Sequence, residues 1–317
     1  MKLPLLAYVL LRSRFLWCFT SAIVSGVFTT DARGQSVPYQ QERGNLNDSL
    51  FSEPSAILGS PTLLSWYSAP KSTSSEPLGP ITTDRPDFTE ASSTVGANVA
   101  QVEMGYTFTH DDDGSIATGS HSTPETLFRI GTPINWLELR LAANRLQENT
   151  GSVSHGGAED LYLGMKLGLT AQDGMLPEMA LVPQMTVPTG GSVFTNHQVL
   201  PGVNWLYGWD VTDCLTTAGS TQFNHAVDSG TGADYTEWAQ SWTVGYSLHD
   251  RVGMYTEWYA LMPDNAATAQ VEHYGNGGFT FLLNDDIQWD IRAGVGLNDA
   301  ADDYFLGTGL SFRFRKL

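Results

Sequence analysis

From about residue 98 to the end of this 317-residue chain, apolar and polar side chains alternate with a period of two, segment after segment. Residues 157–170, GAEDLYLGMKLGLT, set Leu161, Leu163, Met165, Leu167 and Leu169 against Asp160, Tyr162, Gly164, Lys166 and Gly168. Residues 100–108 set Ala100, Val102, Met104, Tyr106 and Phe108 against Gln101, Glu103, Gly105 and Thr107, and the stretches around Leu139, Trp242, Ile291 and Leu310 repeat the pattern. That period belongs to a β-strand with one oily face. Glycine, at 32 residues, and aromatic side chains, at 11%, suit a β-rich chain with many turns.

Two architectures bury one face of a strand. In a soluble sandwich the oily faces meet in a core. In a membrane barrel they face lipid, and the polar faces line the lumen. Three features favour the barrel. Many segments run to about nine to twelve residues, as a tilted spanning strand requires, against an ordinary length of about five or six. The non-oily face mixes glycine with charges of both signs. Connections alternate between long ones, such as HDDDGSIATGSHSTP and RLQENTGSVSHGG, and tight ones, such as TPIN, DVT and NDD. The expected fold is therefore all-β: a closed antiparallel transmembrane β-barrel of about twelve strands, from 99–109 to 303–316, with both ends on the periplasmic side. Trp136, Trp205, Trp209, Trp238 and Trp258 are candidates for interfacial girdles.

The N-terminal third is different. Lys2, Arg12 and Arg14 precede FLWCFTSAIVSGVF (15–28), a run too short to span a bilayer comfortably, and Ala32-Arg33-Gly34 offers a cleavage point. Residues 1–34 read as a signal peptide; an N-terminal membrane anchor is the alternative. Residues 35–95 form a Ser/Pro-rich linker, disordered by composition, ending in ITTDRPDFTE (81–90). There Arg85 lies among Asp84, Asp87 and Glu90, which points either to a segment that docks on the folded domain through these charges or to a solvated turn. Residues 96–317 are the barrel. The net charge of −18 argues against nucleic acid as a partner.

Alternation nominates the lumen-lining residues. Lys166, Arg129, Arg140, Arg292 and Arg313 are expected to pair with Glu103, Glu138, Asp160, Glu237, Glu257, Glu272 and Asp290, because a charge enclosed in a barrel needs a partner. Tyr162, Tyr255, Tyr259 and Phe305 are the rings that would meet an aromatic solute, or simply fill the barrel. Catalysis has little support. Six histidines (His110, His121, His155, His197, His225, His249) read as loop or turn residues and only His273 as a strand residue, and no serine elbow or metal motif appears. No cofactor and no metal site are expected.

GAEDLYLGMKLGL, the LVPQMTVPTG that follows it at 181–190, and TDRPDFTE upstream resemble the outer-membrane transporter family named after the meta-pathway of phenol degradation. The shared positions are Gly157, Asp160, Gly164 and Lys166, then Pro188, Thr189 and Gly190. The resemblance implies a channel or transporter for small solutes, aromatic ones among them, in the outer membrane of a Gram-negative-type cell, and not an enzyme. Its partners would be outer-membrane lipids, a small-molecule solute and the assembly machinery. A non-transporting structural or surface barrel and a lipase-like enzyme are the alternatives. One departure concerns assembly: many such barrels end in an aromatic residue, whereas here Arg315-Lys316-Leu317 follow Phe314.

Overall fold

The structure, a computed structural model, describes residues 62–64, 79–112, 114 and 116–315; the signal peptide and most of the linker lie outside the described residues. The described chain is all-β, with strands β1 (Ala100–Asp112), β2 (Ala117–Gly131), β3 (Leu137–Ala143), β4 (Arg145–Thr150), β5 (Val153–Ala158), β6 (Leu161–Thr170) and β7 (Glu178–Val187). They continue with β8 (Leu200–Thr212), β9 (Leu215–Val227), β10 (Asp234–His249), β11 (Val252–Asp264), β12 (Glu272–Asn284), β13 (Ile287–Gly296) and β14 (Tyr304–Phe314).

Each strand is antiparallel to its neighbour, and β1 pairs with both β2 and β14, so the sheet closes. Closure pairs every edge of the spanning part, which hydrocarbon demands because it offers the backbone no hydrogen bonds; β5, at the end of the sheet order, pairs with β4 alone. Twelve strands span. The lower half of β2 pairs with β3 and its upper half with β4, and β5 pairs back on β4. Thus β3 with β4, and β5 with β6, are single spanning strands interrupted at Asn144 and at Glu159-Asp160. Two connections that read as long loops are in fact tall hairpins, β1–β2 and β4–β5. Their sequences are polar on both faces because both faces stand in water above the bilayer, so no period-two signal marks them as strands.

Three periplasmic turns share one design. Two residues, Asp213-Cys214, Asp250-Arg251 or Asp285-Asp286, join strands whose register shifts just before the turn. The β6–β7 ladder lacks pairs at Met165 and Lys166, where Pro183 on β7 has no N–H to donate.

Burial is inverted relative to a soluble domain. Arg129, Lys166, Glu103, Glu138 and Asp290 are 0% exposed, whereas Leu139 is 46% exposed and Trp205 44%. Trp238, Trp242, Trp258 and Trp289 also face outward. Along β6 the exposed Met165 and the buried Lys166 are consecutive residues on opposite faces. A cation on the lipid face at mid-bilayer costs about 2–4 kcal/mol. Met165→Arg is accordingly expected to lose about that much stability, read from urea titrations of folding into lipid vesicles. A cost near zero would mean that this face does not meet hydrocarbon.

Candidate functional site

The lumen is occupied by the chain's own N-terminal segment. Gly79 and Ile81 are tied to the periplasmic rim: Arg313 donates to the Gly79 carbonyl (2.7 Å) and the Ile81 N–H to the Asp285 carbonyl (2.8 Å). Residues 82–95 run inside the barrel and return to the β2–β3 turn, where the Asn98 N–H donates to the Thr132 carbonyl (3.2 Å). The Ala91 N–H donates to Asp84 Oδ1 (3.0 Å), which folds the segment back on itself.

One wall grips the segment by charge. Lys166 Nζ lies 2.9 Å from Asp84 Oδ1, Arg140 2.6 Å from Asp84 Oδ2, and Arg129 3.2 Å from Asp84 Oδ1. Arg129 also bonds Glu138 (2.8 Å) and Glu103 (3.2 Å), and Arg140 reaches Glu90 (2.8 Å). The wall alone presents three cations and two carboxylates; Asp84 supplies the third carboxylate, at the centre, and Glu90 a fourth on the outside of Arg140. The segment's backbone completes the arrangement, with the Asp84 and Arg85 N–H groups donating to Glu103 and the Val95 N–H to Glu138. Burial pushes the Asp84 carboxyl up, but Arg129, Arg140 and Lys166 outweigh it and hold that carboxyl well below the usual range.

The remaining contacts combine shape, hydrogen bonds and further ion pairs, of Arg85 with Glu125 on β2 and with Asp290 on β13. Arg85 reaches Glu125 (2.6 Å) and the Thr308 carbonyl (3.2 Å), across ground that only glycine leaves open: a Cβ on Gly105 or Gly309 would overlap its guanidinium. Glu257 accepts from the Phe88 N–H (2.8 Å), the Thr89 N–H (2.7 Å) and the Thr89 hydroxyl (2.7 Å). Burial first, and the Glu257 charge second, push the Asp87 carboxyl well above its ordinary value. Phe88 stacks on Tyr259 with centroids 4.4 Å apart, Tyr259 stacks on Tyr274 at 4.8 Å, and Phe305 meets Tyr274 edge-on.

Of the residues nominated from sequence, Glu103, Arg129, Glu138, Arg140 and Lys166 meet in one cluster. Asp290 lies 3.6 Å from Arg85, and Tyr162 donates to Gln184 (3.1 Å). Arg292 bonds the Pro86 carbonyl (3.0 Å) and lies over the Phe305 ring, while Tyr255 is buried in the same wall. Glu257 meets the segment's N–H groups instead of a cation, and the expected pairing also fails at four residues near the strand ends. Asp160 caps the outer loops, accepting from the Gly190 and Asn196 N–H groups (both 2.9 Å). Arg313 pairs with Asp286 at the periplasmic rim. Glu237 and Glu272 accept tyrosine hydroxyls, from Tyr235 and Tyr274, and join no ion pair among the described residues. Alternation assigned all four inward without saying how high along the barrel they stand. Asp84, Arg85, Glu90 and Glu125 were missed as site residues, although the charged TDRPDFTE marks the first three. The histidines are also reassigned: among the described residues only His197 is in a loop, and His273 lies on the outer face, stacked on Trp258.

A family model described as "Putative MetA-pathway of phenol degradation" matches residues 83–314, from the middle of the inserted segment to the last strand. The chain belongs to this family. No curated protein matches. The COG4313 outer membrane channel from Pseudomonas putida F1 is similar in fold, with a TM-score of 0.55 at 13% identity, over 73% of this chain and 99% of that one. Weaker likenesses include the NanC porin, with a TM-score of 0.41 at 13% identity, over 67% of this chain and 98% of that one. The translocator domain of the autotransporter NalP from Neisseria meningitidis gives 0.48 at 10% identity, over 69% and 89%. The family's matched region thus includes both the barrel and the segment that enters it.

Removing Asp84 leaves buried cations without their balance, a loss of about 3–5 kcal/mol. Asp84→Ala is expected to release the segment, read as proteinase K cleavage between residues 80 and 99 in the folded, detergent-embedded barrel. Lys166→Met added to it should restore part of the protection. A carboxyl whose docked-state value is depressed contributes stability above its ordinary value of about 3.9 and loses it as pH falls further. Wild-type protection should therefore be complete at pH 6 and decay only well below about pH 4. Equal cleavage of wild type and Asp84→Ala would remove the charge clamp.

Proposed function

We propose that the protein is an outer-membrane channel for small solutes, aromatic ones among them, and that it carries no catalytic residues. The observation that carries this reading is a cavity of about 320 Å³ on the outer side of the inserted segment, lined by Arg85, Glu90, Glu103, Glu125, Arg140 and Tyr162, with Leu127, Ala142 and Asn144 among the rest. That volume is at the small end of ligand sites, about 300–1,000 Å³. Across the lumen, Phe88, Tyr259, Tyr274 and Phe305 offer flat apolar faces edged by hydroxyls, which suits a ring bearing a polar group. The family description and the channel of similar fold are in keeping with this reading.

In this mechanism the inserted segment is the restriction. A solute enters from outside, desolvates in the cavity and passes along the segment where its contacts yield. Lys166 is one of three cations on Asp84, so Lys166→Met loosens the segment while Arg129 and Arg140 still hold it. Purified protein in planar bilayers should show a small conductance, and Lys166→Met a several-fold larger one with unchanged heat-modifiable mobility on gels. A folded wild type and a folded variant that both fail to conduct would overturn the channel reading in favour of a non-transporting barrel.

A further inference from the structure

The barrel's charge is distributed unevenly along its axis. The outer loops and strand ends, at 109–121, 144–160, 188–199, 226–236, 262–272 and 296–304, hold thirteen aspartates and glutamates and one permanent cation, Arg145. At the periplasmic rim Arg251, Arg313 and Arg315 stand among four turn aspartates, Asp213, Asp250, Asp285 and Asp286, and Arg313 and Arg315 both pair with Asp286.

The excess reaches the passage itself. Glu237 and Glu272 stand where their charges act on each other, and Asp111 acts on Glu272 and on Asp302. Asp302, in the β13–β14 loop, is pushed up to about 6, by burial first and then by Asp111, Glu272 and Asp303. Below this mouth the cavity lining holds two guanidinium groups and three carboxylates. Both guanidinium groups are ion-paired, although among the described residues the Nε–H of each meets no acceptor. Arg140 already holds Asp84, Glu90 and Glu138, and Arg85 lies between Glu125 and Asp290. Asp290 is fully buried and pairs with Arg85 at 3.6 Å, and among the described residues no hydrogen-bond donor meets either of its carboxylate oxygens.

Fixed charge of one sign in a low-dielectric passage concentrates the opposite charge and repels its own. We infer that this channel, if the reading above holds, takes neutral or cationic organic solutes and excludes organic anions, so that phenols and aromatic amines pass while aromatic carboxylates and sulfonates do not. The chemistry that turns such a ring into an acid then lies downstream of this step, inside the cell.

The test uses two ring-bearing ions of fixed charge that do not cross bilayers unaided, benzyltrimethylammonium and benzenesulfonate. Reversal potentials of the full mature protein in planar bilayers, under gradients of the chloride and sodium salts, give their permeability ratio. A preference for the cation on the order of tenfold is expected, the low end of what focused fields produce. The preference should shrink as background KCl rises from about 0.1 to about 1 M, where the screening length falls from about 10 to about 3 Å. Glu237→Gln with Glu272→Gln should move the ratio towards one. A wild-type ratio at or below one, or one indifferent to salt, overturns the inference while leaving a channel in place. Absence of current with either salt overturns the channel reading itself.

Discussion

Three cations on one side of the lumen wall, Lys166, Arg129 and Arg140, face two wall carboxylates, and a residue outside the barrel strands supplies the third. Buried charge cannot be left uneven, because an ion removed from water without a partner costs several kcal/mol. The wall is thus incomplete by itself. Asp84 is part of the barrel's interior in the sense that matters energetically, and the backbone N–H groups of residues 84, 85 and 95 satisfy Glu103 and Glu138 as structural ligands would. The position of the segment, the fullness of the lumen and the place of the remaining cavity all follow from that balance.

A soluble protein would gain by replacing such a cluster with hydrocarbon side chains of equal volume. A barrel has a reason to keep it. The period-two pattern is what tells each strand which face meets lipid, and a slip of one residue exchanges the faces. On β6 that slip would drive Lys166 into hydrocarbon and Met165 into the lumen. A charged interior therefore penalises wrong registers strongly, and the same ions that hold the segment also fix the sheet.

This is also why so much was legible from sequence and why the rest was not. The alternation around Glu103, Glu138, Lys166 and Asp290 reports the two faces directly, so strand number and the inward set of the central strands could be read off. Above the bilayer both faces are wet, and the upper halves of β1 and β2 and the β4–β5 hairpin carry no alternation to read. Period two also gives direction without height: Asp160, Glu237, Glu272 and Arg313 lie at strand ends, where loop N–H groups, tyrosine hydroxyls and rim carboxylates are nearer than the buried cluster. The inserted segment has no regular structure, so no periodicity could place it. Its signal was chemical, a knot of charges around Pro86, and such a knot becomes specific only beside walls of opposite charge.

The two walls hold the segment by different means, and the difference bears on how a full lumen would conduct if the channel reading proposed above holds. On the β1–β3 and β6 side the contacts are ion pairs buried among one another, costly to open. On the β11–β14 side they are hydrogen bonds, a ring stack, a guanidinium resting over glycine and the looser Arg85–Asp290 pair at 3.6 Å. Several polar atoms there, Tyr255 Oη, Asn276 Oδ1 and both Asp290 oxygens, meet no hydrogen-bond partner among the described residues, nor do Arg140 Nε and Glu90 Oε2 on the other side. Buried polar groups without partners weaken the interface that contains them. The side lined by Phe88, Tyr259, Tyr274 and Phe305 is therefore the one along which the segment parts from the wall at least cost. On the channel reading proposed above, a ring-shaped solute that replaces one face of the Phe88–Tyr259 stack would restore part of the contact it breaks, so an aromatic guest would meet a lower barrier on this side than an aliphatic one of the same size.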